Sequence, residues 1–371
     1  MVTLICHRFP PLRPLSGPLE LNGKLNNAEK LFENDIKGPE GLVVFNNELY
    51  MSLHGGYIMK LVNDKLVPVL KTGKDCEMFW EERLCGRPLG LAFDQGGSLY
   101  CADAYYGIIK LNLTSGEKIT LVKMDIPIDG KNPMIPNSVA VSKDGNVFWT
   151  DSSTTHYLYD GVYVLLSSGT GRLLVYNPKK NTSKVLLEKL YFPNGVALSA
   201  DESFVLVAET GKARILRYYI KGDKQGRSDI FIDSLPGLPD NIHSDGSTGF
   251  LVALISPQEQ DSPFITSLRY PSLREFIVRI FHLLDLSFKQ INKYFPTYYT
   301  KRAEHWIGHF ESLKWLYGDR VTIVSLDNEG RITGSLHATD GKISSISDII
   351  NLNGYYYLGS PYNTYLARVK Y

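Results

Sequence analysis

Long apolar runs are missing from the first fifty residues, where a secretory signal or an N-terminal membrane anchor would stand. We therefore expect neither a signal nor a transmembrane segment in this chain. An excess of one charge sign is missing too, because 40 Lys and Arg residues balance 39 Asp and Glu residues to a net charge of +1. This balance gives no case for a broadly basic surface, and we expect no nucleic-acid partner.

Cysteine is scarce, and its four positions match no zinc-finger spacing. Cys76 and Cys85 flank a short polar loop, and a pair this close in a loop can form a disulfide. Cys101 follows a strand tyrosine and is predicted to be a small buried residue. Two Asn-x-Ser/Thr sequences, at Asn112 and Asn181, fall in predicted turns where a glycan would be accessible.

A repeated segment, by contrast, fills most of the chain. Each copy consists of a turn, a strand, a tight polar or glycine turn and a second strand, and the middle copies recur every 50 residues or so. A period of roughly 40–50 residues in an all-β pattern is typical of propeller blades. The sequence therefore predicts an all-β, six-bladed β-propeller, with copies that begin near Gly38, Arg87, Pro136, Pro193, Pro239 and Ser347.

The sixth copy ends with the chain and lacks an outer strand. An isolated strand-like segment around Leu31 resembles the outer strands of other copies. We predict that it completes the last blade, because a closed ring leaves no exposed sheet edge. Residues 1–37 are then an N-terminal segment with a ring-closing strand, and residues 38–371 form the propeller.

Residues 257–316 contain no copy of the repeat. Within them, residues 273–284 place apolar side chains at helical spacing with arginines between them. We predict a helical insertion between blades 5 and 6. Two interpretations remain open: the helices pack over one face of the propeller, or they form a lid or a membrane-surface contact through residues 273–302.

Four segments carry a family resemblance: CGRPLGL from Cys85, ADAYYG from Ala102, YFPNGV from Tyr191 and LPGLPDNI from Leu235. In order and spacing, the chain resembles the strictosidine synthase-like family from about Gly38 onward. The resemblance implies a six-bladed propeller of the calcium-dependent phosphotriesterase superfamily and a Cys76–Cys85 disulfide. Animal members usually carry a membrane anchor, so the resemblance also implies the secretory pathway, with a membrane-associated or extracellular protein.

The family's synthase uses a glutamate in the sixth blade. The positions where it could align are Ser344 and Ser347. A serine hydroxyl cannot accept a substrate proton as a carboxylate does. Strictosidine synthase activity is therefore not expected.

Hydrolytic relatives hold a calcium ion in the channel with polar residues that begin inner strands. The equivalent residues here all offer oxygen atoms, as a hard cation requires, and two are anionic. The predicted ligands of Ca²⁺ are Glu40, Asn137, Asn194, Asp240 and Asn241. In the alternative interpretation, these residues cap turns and bond to one another across a narrow channel without a metal.

A histidine of the paraoxonases is missing here, since Leu89 stands beside the inner-strand glycine Gly90. Asp240 is the predicted catalytic residue, as a base or nucleophile, and His243 the second candidate; a structural role for His243 is the alternative. The sequence thus predicts a calcium-dependent hydrolase of small esters or lactones. A non-catalytic surface or secreted recognition propeller is the alternative.

Overall fold

The repeated segments form six four-stranded antiparallel sheets. The computed structural model describes residues 9–78, 80–258 and 262–371. Their strands, numbered in chain order, are β1 Glu29–Leu31, β2 Leu42–Phe45, β3 Glu48–Ser52, β4 Tyr57–Val62, β5 Lys65–Lys71, β6 Pro88–Phe93, β7 Ser98–Asp103, β8 Gly107–Asn112, β9 Lys118–Val122, β10 Pro136–Val141, β11 Val147–Asp151, β12 Gly171–Asn177, β13 Thr182–Leu190, β14 Pro193–Leu198, β15 Phe204–Glu209, β16 Arg214–Tyr219, β17 Ser228–Ile232, β18 Gly237–Ser244, β19 Phe250–Pro257, β20 Val321–Leu326, β21 Ile332–Ala338, β22 Asp348–Leu352, β23 Tyr355–Gly359 and β24 Leu366–Lys370.

The inner strands close a ring. Each contacts the inner strand of the next sheet in the order β2, β6, β10, β14, β18 and β22, and β22 contacts β2 again. The predicted six-bladed propeller is therefore confirmed. Glycine permits the close approach at several of these contacts: a Cβ added to Gly41 would lie 1.8 Å from the carbonyl oxygen of Leu89 in the next blade.

Apolar side chains fill the space between neighbouring sheets. Trp149 of the third sheet packs with Tyr100 of the second, and both are buried. Phe204 and Phe250 pack together between the fourth and fifth sheets. Strand side chains alternate between two faces, and both faces are covered by neighbouring blades, which explains the Val-, Leu- and Tyr-rich strands.

The N-terminal segment closes the sixth blade. Strand β1 pairs antiparallel with β24, with Lys30 opposite Ala367 and Glu29 opposite Arg368. The guanidinium of Arg368 lies 2.7 Å from the Glu29 carboxylate. This strand pairing confirms the one expected from the incomplete sixth repeat, while the division of the chain at residues 37 and 38 stays a prediction.

The predicted helical insertion is present, but its position is corrected. It leaves the fifth sheet between β19 and β20, inside the blade rather than between blades 5 and 6. Strands β20 and β21 return to complete the fifth sheet, so the long insertion separates the two halves of one blade. The helices, again in chain order, are α1 Glu82–Cys85, α2 Gly161–Leu166, α3 Pro263–Arg269, α4 Pro271–Tyr294 and α5 Tyr298–Gly308, followed by the 3₁₀ segment Phe310–Leu316.

The disulfide expected from the resemblance is present. Cys76 and Cys85 are bonded, with their Cα atoms 5.6 Å apart. The disulfide thus joins the last residue of α1 to the start of the loop that precedes this helix. Cys101 is a free, buried thiol. Asn112 and Asn181 are both exposed, and their glycosylation stays a prediction. Among the described residues, no helix has the length and apolar character to cross a membrane.

Deleting residues 1–36 should strongly destabilise the propeller. The deletion removes β1 and the fully buried side chains of Leu25 and Ala28, which pack against the fifth and sixth sheets. Thermal unfolding followed by circular dichroism measures the effect. Glu29→Gln is the control and should cost less than about 1 kcal/mol, because the ion pair it removes is partly exposed. An unchanged melting temperature in the deletion variant would contradict the role of β1 in closure.

Candidate functional site

One end of the channel holds a small cavity of about 60 Å³. Four of the five predicted metal ligands line it together: Glu40, Asn137, Asn194 and Asp240. Each lies in the first half of an inner strand or just before it, in a different blade, and all are buried. Ring closure brings these equivalent positions to one axis, as the repeat predicted.

Several oxygen atoms around this end of the channel lack partners. Asn194 Oδ1 and Asp240 Oδ1 are buried and make no hydrogen bond within the described part of the chain, and the same holds for Oγ of Ser347. Ser347 occupies the equivalent position of the sixth blade, whereas Leu89 occupies it in the second. Buried polar atoms normally have partners. An all-oxygen set of this kind fits Ca²⁺.

Sequence reasoning missed a buried arginine in the same cavity. Arg87 Nη2 lies 2.8 Å from Glu40 Oε2, and both side chains are buried. One Glu40 oxygen therefore already bonds to a fixed cation. A sequence signal was present: Arg87 is the one charged residue among those that directly precede the prolines of the first five repeats, which are Gly38, Arg87, Ile135, Phe192 and Leu238.

The two carboxyl groups in the cavity have unequal surroundings. Burial raises the pKa of Glu40 and Asp348 raises it further, while Arg87 acts in the opposite direction. Burial also raises the pKa of Asp240, to well above its usual range, and the negative charges of Glu40 and Asp348 add to this effect. Asp240 therefore favours the protonated form unless a cation compensates its charge.

The structure does not bring His243 or Asn241 to this cavity. Both line a second cavity at the other end of the inner strands, where His243 Nε2 lies 2.7 Å from Asp348 Oδ1. Strand geometry explains the difference, because His243 lies three residues, or about 10 Å, further along β18, and the neighbouring side chains of Asp240 and Asn241 point to opposite faces of the strand. The predicted joint site of Asp240 and His243 is corrected accordingly. Burial alone would lower the pKa of His243, but Asp348 outweighs burial and the pKa is raised.

The helical insertion forms the roof of the oxygen-lined cavity. His309, Phe310 and Tyr317 come from its last part, and Leu158 and Leu165 come from the loop between β11 and β12. The cavity thus combines a polar floor with a mostly apolar roof. A volume of about 60 Å³ holds an ion with one or two waters, whose share of liquid volume is about 30 Å³ each.

Sequence comparisons decide the family. The strictosidine synthase model matches residues 137–223, and the N-terminal model of strictosidine synthase-like proteins matches residues 17–61. Human adipocyte plasma membrane-associated protein is 36% identical over 97% of this chain and 81% of its own length. The chain belongs to the strictosidine synthase-like family. Hemomucin of Drosophila melanogaster is 43% identical over 97% of this strictosidine synthase-like chain, which spans 63% of hemomucin.

Solved structures with the same fold are more distant. A gluconolactonase from Xanthomonas campestris superposes with a TM-score of 0.58 at 14% identity, and the match covers 99% of each chain. A calcium-binding regucalcin from Agrobacterium tumefaciens gives a TM-score of 0.55 at 10% identity, over 94% of this chain and 95% of its own. At these identities the likeness shows the fold of the strictosidine synthase-like chain and nothing finer.

Two isosteric substitutions should shift stability in opposite directions in metal-free buffer at pH 7. Asp240→Asn should raise the melting temperature, because it removes a buried carboxyl whose ionisation the fold opposes. Its gain should vanish as the pH falls to about 4, where the unfolded chain also protonates this group. Glu40→Gln should lower stability by up to about 3–5 kcal/mol, because it leaves buried Arg87 with only the more distant carboxylate of Glu82, 3.7 Å from its Nε atom. If both substitutions raised the melting temperature, or both lowered it, the two carboxyl groups would not differ in their surroundings as described.

Proposed function

We propose that the protein is a calcium-dependent hydrolase of small esters or lactones, with the oxygen-lined cavity as its active site. One observation carries the proposal: two carboxyl groups and two amides from four blades meet in one buried cavity, and oxygens of Asp240 and Asn194 lack partners there. The likeness to gluconolactonase and regucalcin supports it at the level of the fold.

Glu40, Asn137, Asn194 and Asp240 would hold the ion. When bound, Ca²⁺ would supply a Lewis acid that polarises a carbonyl group. Asp240 would accept the proton of an attacking water or attack the carbonyl carbon itself. Arg87 would keep a fixed positive charge beside the developing oxyanion, while the apolar roof would exclude bulk water.

Asp240→Asn should lower hydrolysis of aryl esters or small lactones by about 100-fold or more, the usual contribution of a general base. Chelation of calcium should abolish the same activity, and added calcium should raise the melting temperature of the wild type but not of the variant. The matched control is Asp125→Asn, which alters an exposed carboxylate in the loop between β9 and β10.

Two outcomes would contradict the proposal. Activity that survives Asp240→Asn but is lost in His243→Gln would move the site to the other end of the channel. A melting temperature indifferent to calcium and chelator, with no hydrolysis, would favour the alternative of a recognition propeller. That alternative is favoured by the small volume of the cavity and by Leu89 in place of a histidine.

A second proposal concerns the membrane. Helix α4 carries apolar side chains outward at every third or fourth position, while charged Arg274 and Asp285 on its other side are buried. Val278 also packs on the core from the inner side, so α4 carries apolar side chains on both sides, whereas a surface helix usually keeps its outer side polar. The exposed apolar residues of the stripe include Leu273, Phe276, Ile280 and Leu283.

The charges around this stripe indicate what covers it. Between residues 270 and 302, every exposed charged side chain is basic: Arg279, Lys289, Lys293, Lys301 and Arg302. We propose that α4 and α5 lie on an anionic membrane surface, with apolar side chains in the interface and basic ones at the headgroups. The name of the human relative, adipocyte plasma membrane-associated protein, supports this location.

Vesicle flotation tests the contact. The wild type should float with vesicles that contain phosphatidylserine and much less with phosphatidylcholine alone. Phe276→Ser combined with Leu283→Ser should weaken binding about tenfold or more, since each buried apolar side chain contributes about 1.5–3 kcal/mol. Ile230→Ser, at an exposed apolar residue of β17, is the control. A concentration-dependent dimer that the double variant abolishes, without vesicle binding, would instead assign the stripe to a second copy of the chain.

A further inference from the structure

Four titratable side chains from distant parts of the chain meet beneath the helical insertion. Glu82 belongs to α1, His305 to α5, and His309 lies between α5 and the 3₁₀ segment that follows. One nitrogen or oxygen atom from each of these three lies within 4.8 Å of the others. His54, just after the second strand of the first blade, places its Nδ1 atom 3.3 Å from Glu82 Oε1.

The contact between His54 and Glu82 is not an ordinary hydrogen bond. His54 Nε2 lies 3.1 Å from the carbonyl oxygen of Pro361, which can only accept, so Nε2 carries the proton of the neutral ring. Its Nδ1 atom therefore presents a lone pair to a carboxylate oxygen. Both atoms are buried, and neither has a hydrogen-bond partner in the described ranges. Arg87 Nε lies 3.7 Å from the same Glu82 oxygen, which is too far for a hydrogen bond. A cation or a proton between the two facing lone pairs would remove their repulsion.

The distance also suits a metal. Zinc binds imidazole nitrogen at about 2.0–2.1 Å and carboxylate oxygen at about 2.0–2.2 Å, so two tetrahedral ligands lie about 3.3 Å apart. His309 Nε2 lies 4.0 Å from the same Glu82 oxygen. The rings of His305 and His309 stack with centroids 4.5 Å apart, and binding both to one metal would require the rings to rotate toward Glu82.

We propose that Glu82, His305 and His309, together with His54, form a site for Zn²⁺ or a similar divalent transition metal. Mixed imidazole and carboxylate ligands suit zinc and disfavour calcium, which prefers oxygen alone. The site is separate from the oxygen-lined cavity, although His309 borders both, and it does not depend on the proposed hydrolase activity.

Two features oppose binding and limit its strength. His309 Nδ1 accepts a hydrogen bond from the Glu311 backbone at 3.2 Å, and coordination through Nε2 requires that bond to be given up, at about 1 kcal/mol. Arg87, whose Nε lies 3.7 Å from Glu82 Oε1, and Lys37 also place positive charge beside Glu82, and this charge repels a metal dication. We therefore expect micromolar affinity for zinc.

The site would join separate parts of the molecule. Glu82 lies in the loop closed by the Cys76–Cys85 disulfide, whereas His305 and His309 belong to the insertion that roofs the cavity. A bound metal would hold the end of α5 against the rim formed by blades 1 and 2. It would thereby keep the roof closed.

Titration of the chelator-treated full chain with Zn²⁺ against a chromophoric indicator tests the site. The wild type should bind one equivalent, and Co²⁺ in its place should give the intense visible absorption of a tetrahedral site. His305→Gln and Glu82→Gln should weaken binding about tenfold or more, whereas His282→Gln, at an exposed histidine of α4, should not. Zinc should also slow tryptic cleavage after Lys289, Lys293 and Lys301 in the wild type but not in His305→Gln.

The outcomes separate this site from the proposed active site. Asp240→Asn should bind zinc as the wild type does, even if it has lost hydrolysis or the response to calcium. Equal zinc affinity in the wild type and in a folded His305→Gln variant would overturn the proposal, as would no binding by the wild type at about 100-fold above the expected Kd. The space between His54 and Glu82 would then hold a proton, because burial raises the pKa of Glu82 to about 7.

Discussion

Ring closure is the constraint on which the rest of this structure depends. Six inner strands surround one axis because β22 contacts β2, and the pairing of β1 with β24 ties the N-terminal segment to the sixth blade beside the first. The same closure forces the first residues of the inner strands together in a space with little room for water. Polar side chains at those positions, such as Asn194 and Asp240, must then bond to each other, to an ion or to a ligand. The candidate site is a consequence of the closure and of the residue types at one repeat position.

Much of this arrangement could be predicted from the sequence, because the blades repeat. The same position in four copies predicted that four side chains would meet at the axis, and these line one cavity: Glu40, Asn137, Asn194 and Asp240. The repeat could not locate the insertion, since the outer strands β20 and β21 carry a weaker pattern and follow after some sixty residues. Arg87 stands out at its own repeat position, two residues before Leu89, but its contact with Glu40 joins two blades at different repeat positions and does not follow from the repeat.

The histidine cluster shows a second limit of sequence reasoning. His54, Glu82 and His305 belong to a blade loop, a disulfide-closed loop and the insertion, so no spacing rule relates them. Periodicity predicts contacts within and between equivalent elements. An insertion that folds back over the ring makes contacts that periodicity does not describe. Only the described three-dimensional structure places His305 and His309 beside Glu82.

The insertion also connects two surfaces that would otherwise be independent. Its outer side carries the exposed apolar stripe of α4, and its last residues, including His309 and Phe310, cover the cavity. The fifth sheet fixes both ends of the insertion, because β19 and β20 pair directly with each other. The insertion can therefore shift relative to the ring while the strand pairs beneath it are kept. Access to a cavity of about 60 Å³ therefore depends on how firmly those helices, and the loop that carries Leu158 and Leu165, are held to the rim, because both lie outside the strand pairs of the ring.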